Sequence, residues 1–337
     1  KKVLSLVLVS IMILGVLSGC SGGGGDKIKV SMVTDLGGVN DQSFNQSAWE
    51  GLKKAEKELG IKASYQESTQ DADYVPNLEQ AYDNENDLIF GIGMKLDKAI
   101  LDAAKKYPDQ KYAIVDVSFE DETPDNVVGI VFKQEQPSFL VGYIAGKMTK
   151  TGKVGFVGGM EIPVISEFEN GFKAGVKYAN KDSEVFVQYA ESFGDPGKGK
   201  AIANSMYQKG ADIIFHASGG TGDGVIEAAK EQDKYAIGVD KDQNYLAPDN
   251  VITSAMKRVD AGVYNLVKEM KDGEFPGGTT VVYGLEDGAV DIAPTSDKHV
   301  PKEILDEVED LKKKIIDGDI VVPTDDASYE EFLKTLE

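Results

Sequence analysis

Asp87-Leu-Ile-Phe90, Ala99-Ile-Leu-Asp-Ala-Ala104 and Lys111-Tyr-Ala-Ile-Val-Asp116 return later in the chain as Asp212-Ile-Ile-Phe215, Val225-Ile-Glu-Ala-Ala229 and Lys234-Tyr-Ala-Ile-Gly-Val-Asp240. The first aspartates of the two sets lie 125 residues apart and the last 124. A period this long is not a solenoid unit. It describes one α/β lobe present twice, each copy supplying a strand, a helix and a strand that ends in aspartate.

Outward from this repeat, short β-branched runs alternate with amphipathic stretches. Val30 to Thr34 is followed by Phe44, Ala48, Leu52, Ala55 and Leu59 at spacings of three and four, then by Ile61 to Tyr65. The alternation continues through Val127 to Phe132, Val154 to Val157, Val185 to Tyr189, Ile213 to Phe215 and Ala236 to Val239. Such βαβ order predicts doubly wound parallel sheets with helices on both faces, and a ligand site at the carboxyl ends of the strands.

The chain opens with Lys1-Lys2, a charge-free run from Val3 to Gly19, then Leu17-Ser-Gly-Cys20 and the glycines 22 to 25. Two cations, an apolar run too short to span a bilayer comfortably and small residues before a processing point predict an export signal over 1–20 rather than a retained membrane helix. Leu-Ser-Gly-Cys resembles a lipobox. Cys20 is the only cysteine, so it can make no internal disulfide, and its position makes it the expected lipidated residue with 21–26 as a flexible tether. Buried acyl methylenes contribute about 0.8 kcal/mol each, enough for more than one palmitate-sized chain to hold the protein at a membrane. The formal net charge of −21 becomes −23 without Lys1 and Lys2, which makes nucleic acid and anionic lipid head groups poor partners.

The first strand runs into Thr34-Asp35 and then Leu-Gly-Gly-Val-Asn-Asp-Gln-Ser-Phe-Asn-Gln, residues 36 to 46. Asp35, Asn40, Asp41, Phe44 and Asn45 thus crowd one strand-to-helix turn, with Ser43 and Gln46 spaced as a capping box. A purely structural turn would use Asp41 and Ser43 as caps and Phe44 as a staple. The matched strand ends add Asp116 and Asp240, and Ser218-Gly-Gly-Thr-Gly-Asp-Gly224 opens a helix whose first amides could face a ligand oxygen. Neither this run nor Gly91-Ile-Gly93 fits a P-loop or dinucleotide fingerprint; both read as close-approach turns. With only His216 and His299 and no cysteine beyond Cys20, a nucleophilic triad has little material. His216 reads as structural and His299 as exposed.

The segments Thr34 to Gln46, Ile-Pro-Val-Ile-Ser-Glu-Phe-Glu-Asn-Gly-Phe (162 to 172), Gly-Val-Asp-Lys-Asp-Gln (238 to 243) and Thr-Ser-Ala-Met-Lys-Arg-Val-Asp (253 to 260) resemble those of the basic membrane protein family, purine nucleoside receptors that feed ABC transporters. The resemblance covers essentially the whole mature chain. It implies a type I periplasmic-binding-protein fold of two lobes joined by three crossings. It further implies capture of a purine nucleoside such as adenosine, guanosine or inosine for an ABC permease, by a monomer without cofactor, metal or catalysis, on the outer face of the cell membrane. Matched by motif, Phe44 and Phe168 would sandwich the base, Asn45 and Asp116 would bond its polar edge, and Asp240 and Lys257 would hold the ribose. Gly219, Gly220 and Asp35 would line the same pocket. Crossings placed near Gln134, Val251 and Leu285 assign 27–133 plus 252–284 to the first lobe and 134–251 plus 285–337 to the second.

The chemistry suits that division. A purine offers two π-faces, worth about 1–3 kcal/mol of stacking per base. A carboxylate can accept from neighbouring ribose hydroxyls at about 1.5–3 kcal/mol each. Asp35, Asp116 and Asp240 should repel a phosphate, with Lys257 the one compensating charge. A sugar receptor of the same fold is the nearest rival. A calcium-dependent nucleoside hydrolase is the rival of another class, but the turn at Asp35 and Asp41 lacks the six to eight oxygens that calcium requires.

Overall fold

The computed structural model describes residues 27–336; the leader, Cys20 and the tether 21–26 lie outside the described residues. The first half runs β1 Lys29–Val33, α1 Phe44–Leu59, β2 Lys62–Gln66, α2 Tyr74–Asp83, β3 Leu88–Ile92, α3 Asp97–Lys106, β4 Lys111–Val115, β5 Val127–Phe132 and α4 Glu135–Met148. It continues through β6 Lys153–Gly158, α5 Pro163–Ala179, β7 Glu184–Tyr189, α6 Pro196–Gln208, β8 Ile213–Ala217, α7 Thr221–Gln232, β9 Tyr235–Asp240 and β10 Val251–Lys257. The chain then adds α8 Val259–Asp272, β11 Thr279–Tyr283, β12 Val290–Ile292, α9 Lys302–Ile316 and α10 Asp326–Thr335.

Two six-stranded sheets result, ordered β11-β5-β4-β3-β1-β2 and β12-β10-β9-β8-β6-β7. Every pairing is parallel except β10 with β12. Each sheet therefore carries the same doubly wound core, second-first-third-fourth-fifth, as duplication of one lobe requires. The repeated segments are its third and fourth strands, β3 and β4 in one sheet and β8 and β9 in the other. Apolar composition follows position: β3 and β8 are buried at all five residues, whereas the edge strands β2 and β7 are mixed.

The helices are placed by their buried stripes. In α1, Ala48, Leu52 and Ala55 face the sheet, and the helix ends where Gly60 takes φ 73°. In the second lobe α4 is buried on almost every face and meets α5 backbone to backbone. A Cβ on Gly175 would fall 2.0 Å from the Phe139 carbonyl oxygen, so glycine is what lets these two helices touch.

The chain passes between sheets after β5, after β10 and after β11. The first passage follows the end of β5 at Phe132 and the third the end of β11 at Tyr283. Residues 252–257, expected in the first lobe, belong instead to the second sheet, because β10 pairs with β9 and β12 and the second passage begins at Arg258. The sequence misleads because Val251–Lys257 reads as a strand equally suited to either sheet, and only its register against Ala236–Asp240 assigns it. Among the described residues no helix is long and apolar enough to cross a membrane.

Candidate functional site

The carboxyl ends of the strands from both sheets converge on one cavity between the lobes, the place where a doubly wound fold binds its ligand. Of the residues singled out from the sequence, Asp35, Asp41, Phe44, Asn45, Asp116, Phe168, Gly219, Asp240 and Lys257 line it. Asn40 does not; it is exposed at the tip of the turn while its neighbour Val39 packs inward. Gly220 is also outside the lining. It begins α7, and a Cβ there would lie 3.8 Å from Asp41 of the opposite lobe, so it serves the approach of the lobes.

Asp41 is the organiser of the first turn. Its carboxylate accepts the Ser43 and Gln46 amides at 3.0 Å each, and both the Asn45 amide and the Asn45 Nδ2 at 2.9 Å. The expected Ser43–Gln46 capping box is therefore replaced: Asp41 caps α1, and the Gln46 Oε1 accepts the Gln42 amide at 3.2 Å. Freed from capping, the Ser43 hydroxyl donates to Asp240 across the cleft. Asn45 Nδ2 donates also to Asp35 Oδ1, at 2.7 Å, and Asn45 Oδ1 accepts the Asp35 amide at 3.3 Å. Asp35, Asp41 and Asn45 thus form one preorganised knot at the positive end of the α1 dipole.

The two repeat aspartates are backbone twins. Asp116 and Asp240 both sit in the left-handed region, at φ 69° and 61°, a conformation that aspartate tolerates better than most residues. Each ends the fourth strand of its sheet and turns its carboxyl into the cavity. Asp116 is held by Lys257 of the other lobe, whose Nζ lies 2.6 Å from one carboxylate oxygen and 2.8 Å from the other. The ammonium is also 5.2 Å from the Phe44 ring centre and 5.6 Å from that of Phe168. Phenylalanines from opposite lobes therefore face a single buried cation, close enough for cation–π attraction.

Burial dominates the electrostatics. It pushes Asp35 up to about 6, against the Gly37 amide and Asn45 side chain that favour its anion, with Asp41 and Asp116 adding repulsion. Asp240 is pushed up to about 7, again first by burial, with Lys257 and the Ser43 hydroxyl drawing it back. Among the described residues no group of three or more His, Cys, Asp or Glu could hold a metal ion.

Several lining residues were not anticipated. Phe193, from the loop after β7, lies so close over Gly159 that a Cβ there would be 2.3 Å from its ring. An aromatic just past a strand end was the signal available. Ile162, Val164 and Ile165 give an apolar wall, and Lys95 adds a second lysine to the lining, engaged by Asp71 at 2.9 Å. His216 is fully buried and shares a hydrogen bond of 3.0 Å with Gln243 rather than lining the cavity; burial lowers it to about 4. His299 is half-buried, its Nε2 2.7 Å from the Pro248 carbonyl oxygen, and so is less exposed than its polar setting suggests. The α7 amides are partly committed as well, since Thr221 donates to the Phe193 and Ser218 carbonyls.

Residues 28–326 match the family described as ABC transporter substrate-binding protein PnrA-like, or Bmp. The chain is 45% identical to the CD4+ T-cell-stimulating antigen of Listeria monocytogenes, over 96% of this chain and 99% of that one. It is 40% identical to the ABC transporter nucleoside-binding protein BmpA of Lactococcus lactis subsp. cremoris, over 96% and 99% of the two chains. Among solved structures, a solute-binding protein of an ABC transporter system from Aeropyrum pernix superposes with a TM-score of 0.83 at 31% identity, covering 92% of this chain and 97% of that one.

Proposed function

The chain belongs to the PnrA-like, or Bmp, family of ABC transporter substrate-binding proteins, and we propose that it is a receptor for purine nucleosides, which it passes to a membrane permease. Proteins of this family bind substrate outside the cytoplasm and are not enzymes. The observation that carries the nucleoside reading is the placement of Phe44 and Phe168 on opposite lobes of one cavity whose remaining wall is rich in carboxylates. Two rings suit the two faces of a base, and each ring becomes effective only as the lobes meet. Ligand therefore biases the closed arrangement through contacts that exist only there.

The relative from Lactococcus, described as nucleoside-binding, supports the same ligand class. Asp35 and Asp116 offer acceptors for the base edge, with Asn45, whose two Nδ2 hydrogens are spent on Asp35 and Asp41, holding Asp35 in place; Asp240 suits adjacent ribose hydroxyls. Asp41 is spent on capping α1 and is assigned a structural part in this site. Lys257 neutralises Asp116, so Asp240 keeps no ion-paired lysine of its own and a phosphate would meet unrelieved negative charge. The protein is expected to act as a monomer without cofactor.

Anchoring through acylated Cys20 completes the proposal, with residues 21–26 as the tether. Replacing Cys20 by Ala should shift the protein from the membrane fraction to the soluble fraction of the cell. The ligand reading is tested by mass spectrometry of the small molecule released on denaturing purified protein. Intact purine nucleoside is the expected finding; a free sugar, or base and ribose produced from added nucleoside, would overturn it.

A further inference from the structure

Gln42, immediately before the ligand-facing part of the first turn, is one of the few non-glycine residues at positive φ, at 54°. Its amide donates to Gln46 Oε1 within its own lobe, at 3.2 Å. Its two acceptors point the other way. The Gln42 carbonyl accepts from Gln243 Nε2 at 3.1 Å, and Gln42 Oε1 accepts from the Tyr245 hydroxyl at 2.6 Å. Both donors belong to the second lobe, in the segment that follows β9.

That segment is itself rigidly held. Gln243 is fully buried; its Oε1 accepts the Val239 amide at 2.9 Å, and its amide donates to the Ser254 hydroxyl at 3.1 Å. Because Gln243 Oε1 already accepts from Val239, the His216 Nε2 beside it at 3.0 Å acts as a donor, which leaves Gln243 Nε2 free to donate across the cleft. Directly beside Gln42, the Ser43 hydroxyl reaches Asp240, and two turns further on Glu50 pairs with Lys241 at 2.5 Å. Contacts of this one segment with the start of α1 and its first two turns make a seam between lobes.

We propose that Gln42 is the positioning residue of an interlobe latch: its left-handed backbone presents both acceptors to Gln243 and Tyr245, and this seam, rather than the ligand contacts alone, sets how long a bound ligand stays enclosed. The proposal rests on the nucleoside-receptor reading. None of the three latch residues lines the cavity, so each acts on ligand only through the closed arrangement of the lobes.

Tyr245 is 53% exposed, so Tyr245→Phe removes the hydroxyl without disturbing a core. Gln42→Asn keeps a side chain tolerant of left-handed backbone but shortens it out of reach of Tyr245. With inosine as probe, stopped-flow displacement should show each variant releasing ligand roughly 3- to 10-fold faster, the range of one neutral hydrogen bond, with association little changed. The double variant should release ligand no faster than either single one, since both remove the same bond. Unchanged release in both single variants, or additive effects in the double, would overturn the latch. Failure of the unaltered protein to bind inosine, adenosine or guanosine would instead overturn the receptor reading itself.

Discussion

Asp41 and Phe44, three residues apart, point to different ends: the Asp41 carboxylate to the start of α1 and the Phe44 ring to the cavity. Asp41 accepts three backbone amides at the start of α1, so Asp41→Ala should lower stability by about 1 kcal/mol, as loss of an N-cap does, visible as a lower Tm without ligand. Phe44 is half-buried with its ring in the cavity. Phe44→Ala should cost about 1–3 kcal/mol of nucleoside affinity, roughly a 5- to 150-fold rise in Kd by calorimetry, with less effect on Tm. Acidity adds a second test at this scale. Asp240 and Glu167 are pushed up to about 7 and Glu135 to about 8, each first by burial. These groups bind protons more tightly folded than unfolded, so their stability contribution is full at low pH and is lost as pH rises through the folded values. His216, lowered to about 4 by burial, opposes this trend only below its ordinary 6.5. The Tm of the ligand-free protein should therefore rise as pH falls from about 8.5 to about 6.5, and Asp240→Asn should flatten part of that slope. A Tm independent of pH in this window would refute the burial of these carboxyls.

Secondary-structure elements carry the duplication. Asp116 and Asp240 were legible from the repeat because a strand ending in aspartate at matched positions is a sequence pattern, and the structure gives both the same left-handed backbone. The order of strands follows from βαβ alternation, which allows few other topologies. What the sequence did not disclose depends on contacts between distant segments. Phe193, Lys95 and Ile165 enter the cavity from three separate strand ends, and the lodging of Val251–Lys257 in the second sheet is a matter of register. Ser43 was misread as a cap for the same reason, since its partner Asp240 lies 197 residues away. The contact of α4 with α5 offers a test at this scale. Gly175→Ala would drive a methyl into the Phe139 carbonyl, 2.0 Å away, and overpacking of this kind costs about 1–3 kcal/mol. Chemical denaturation should show the loss, with nucleoside affinity of the folded fraction retained.

At the scale of the whole molecule, two similar lobes enclose a cavity whose polar contacts cross the cleft: Lys257 to Asp116, Ser43 to Asp240, and Gln42 to Gln243 and Tyr245. Closure and recognition are therefore expected to be one event. Addition of nucleoside to ligand-free protein should reduce the radius of gyration measured by small-angle scattering, whereas an unchanged value would mean that ligand enters without lobe movement. Charge should also set selectivity, because Lys257 is taken up by Asp116 and a phosphate brought beside Asp35 and Asp240 would meet like charge in a confined space. The most direct measurement is calorimetric titration of ligand-free protein with inosine, adenosine and guanosine, their 5′-monophosphates, and ribose. One nucleoside should bind per chain, with its monophosphate at least about 100-fold weaker, since like-charge contact costs several kcal/mol, and with ribose unable to compete. A monophosphate binding as tightly as its nucleoside, or ribose binding alone, would contradict the assignment of this cavity.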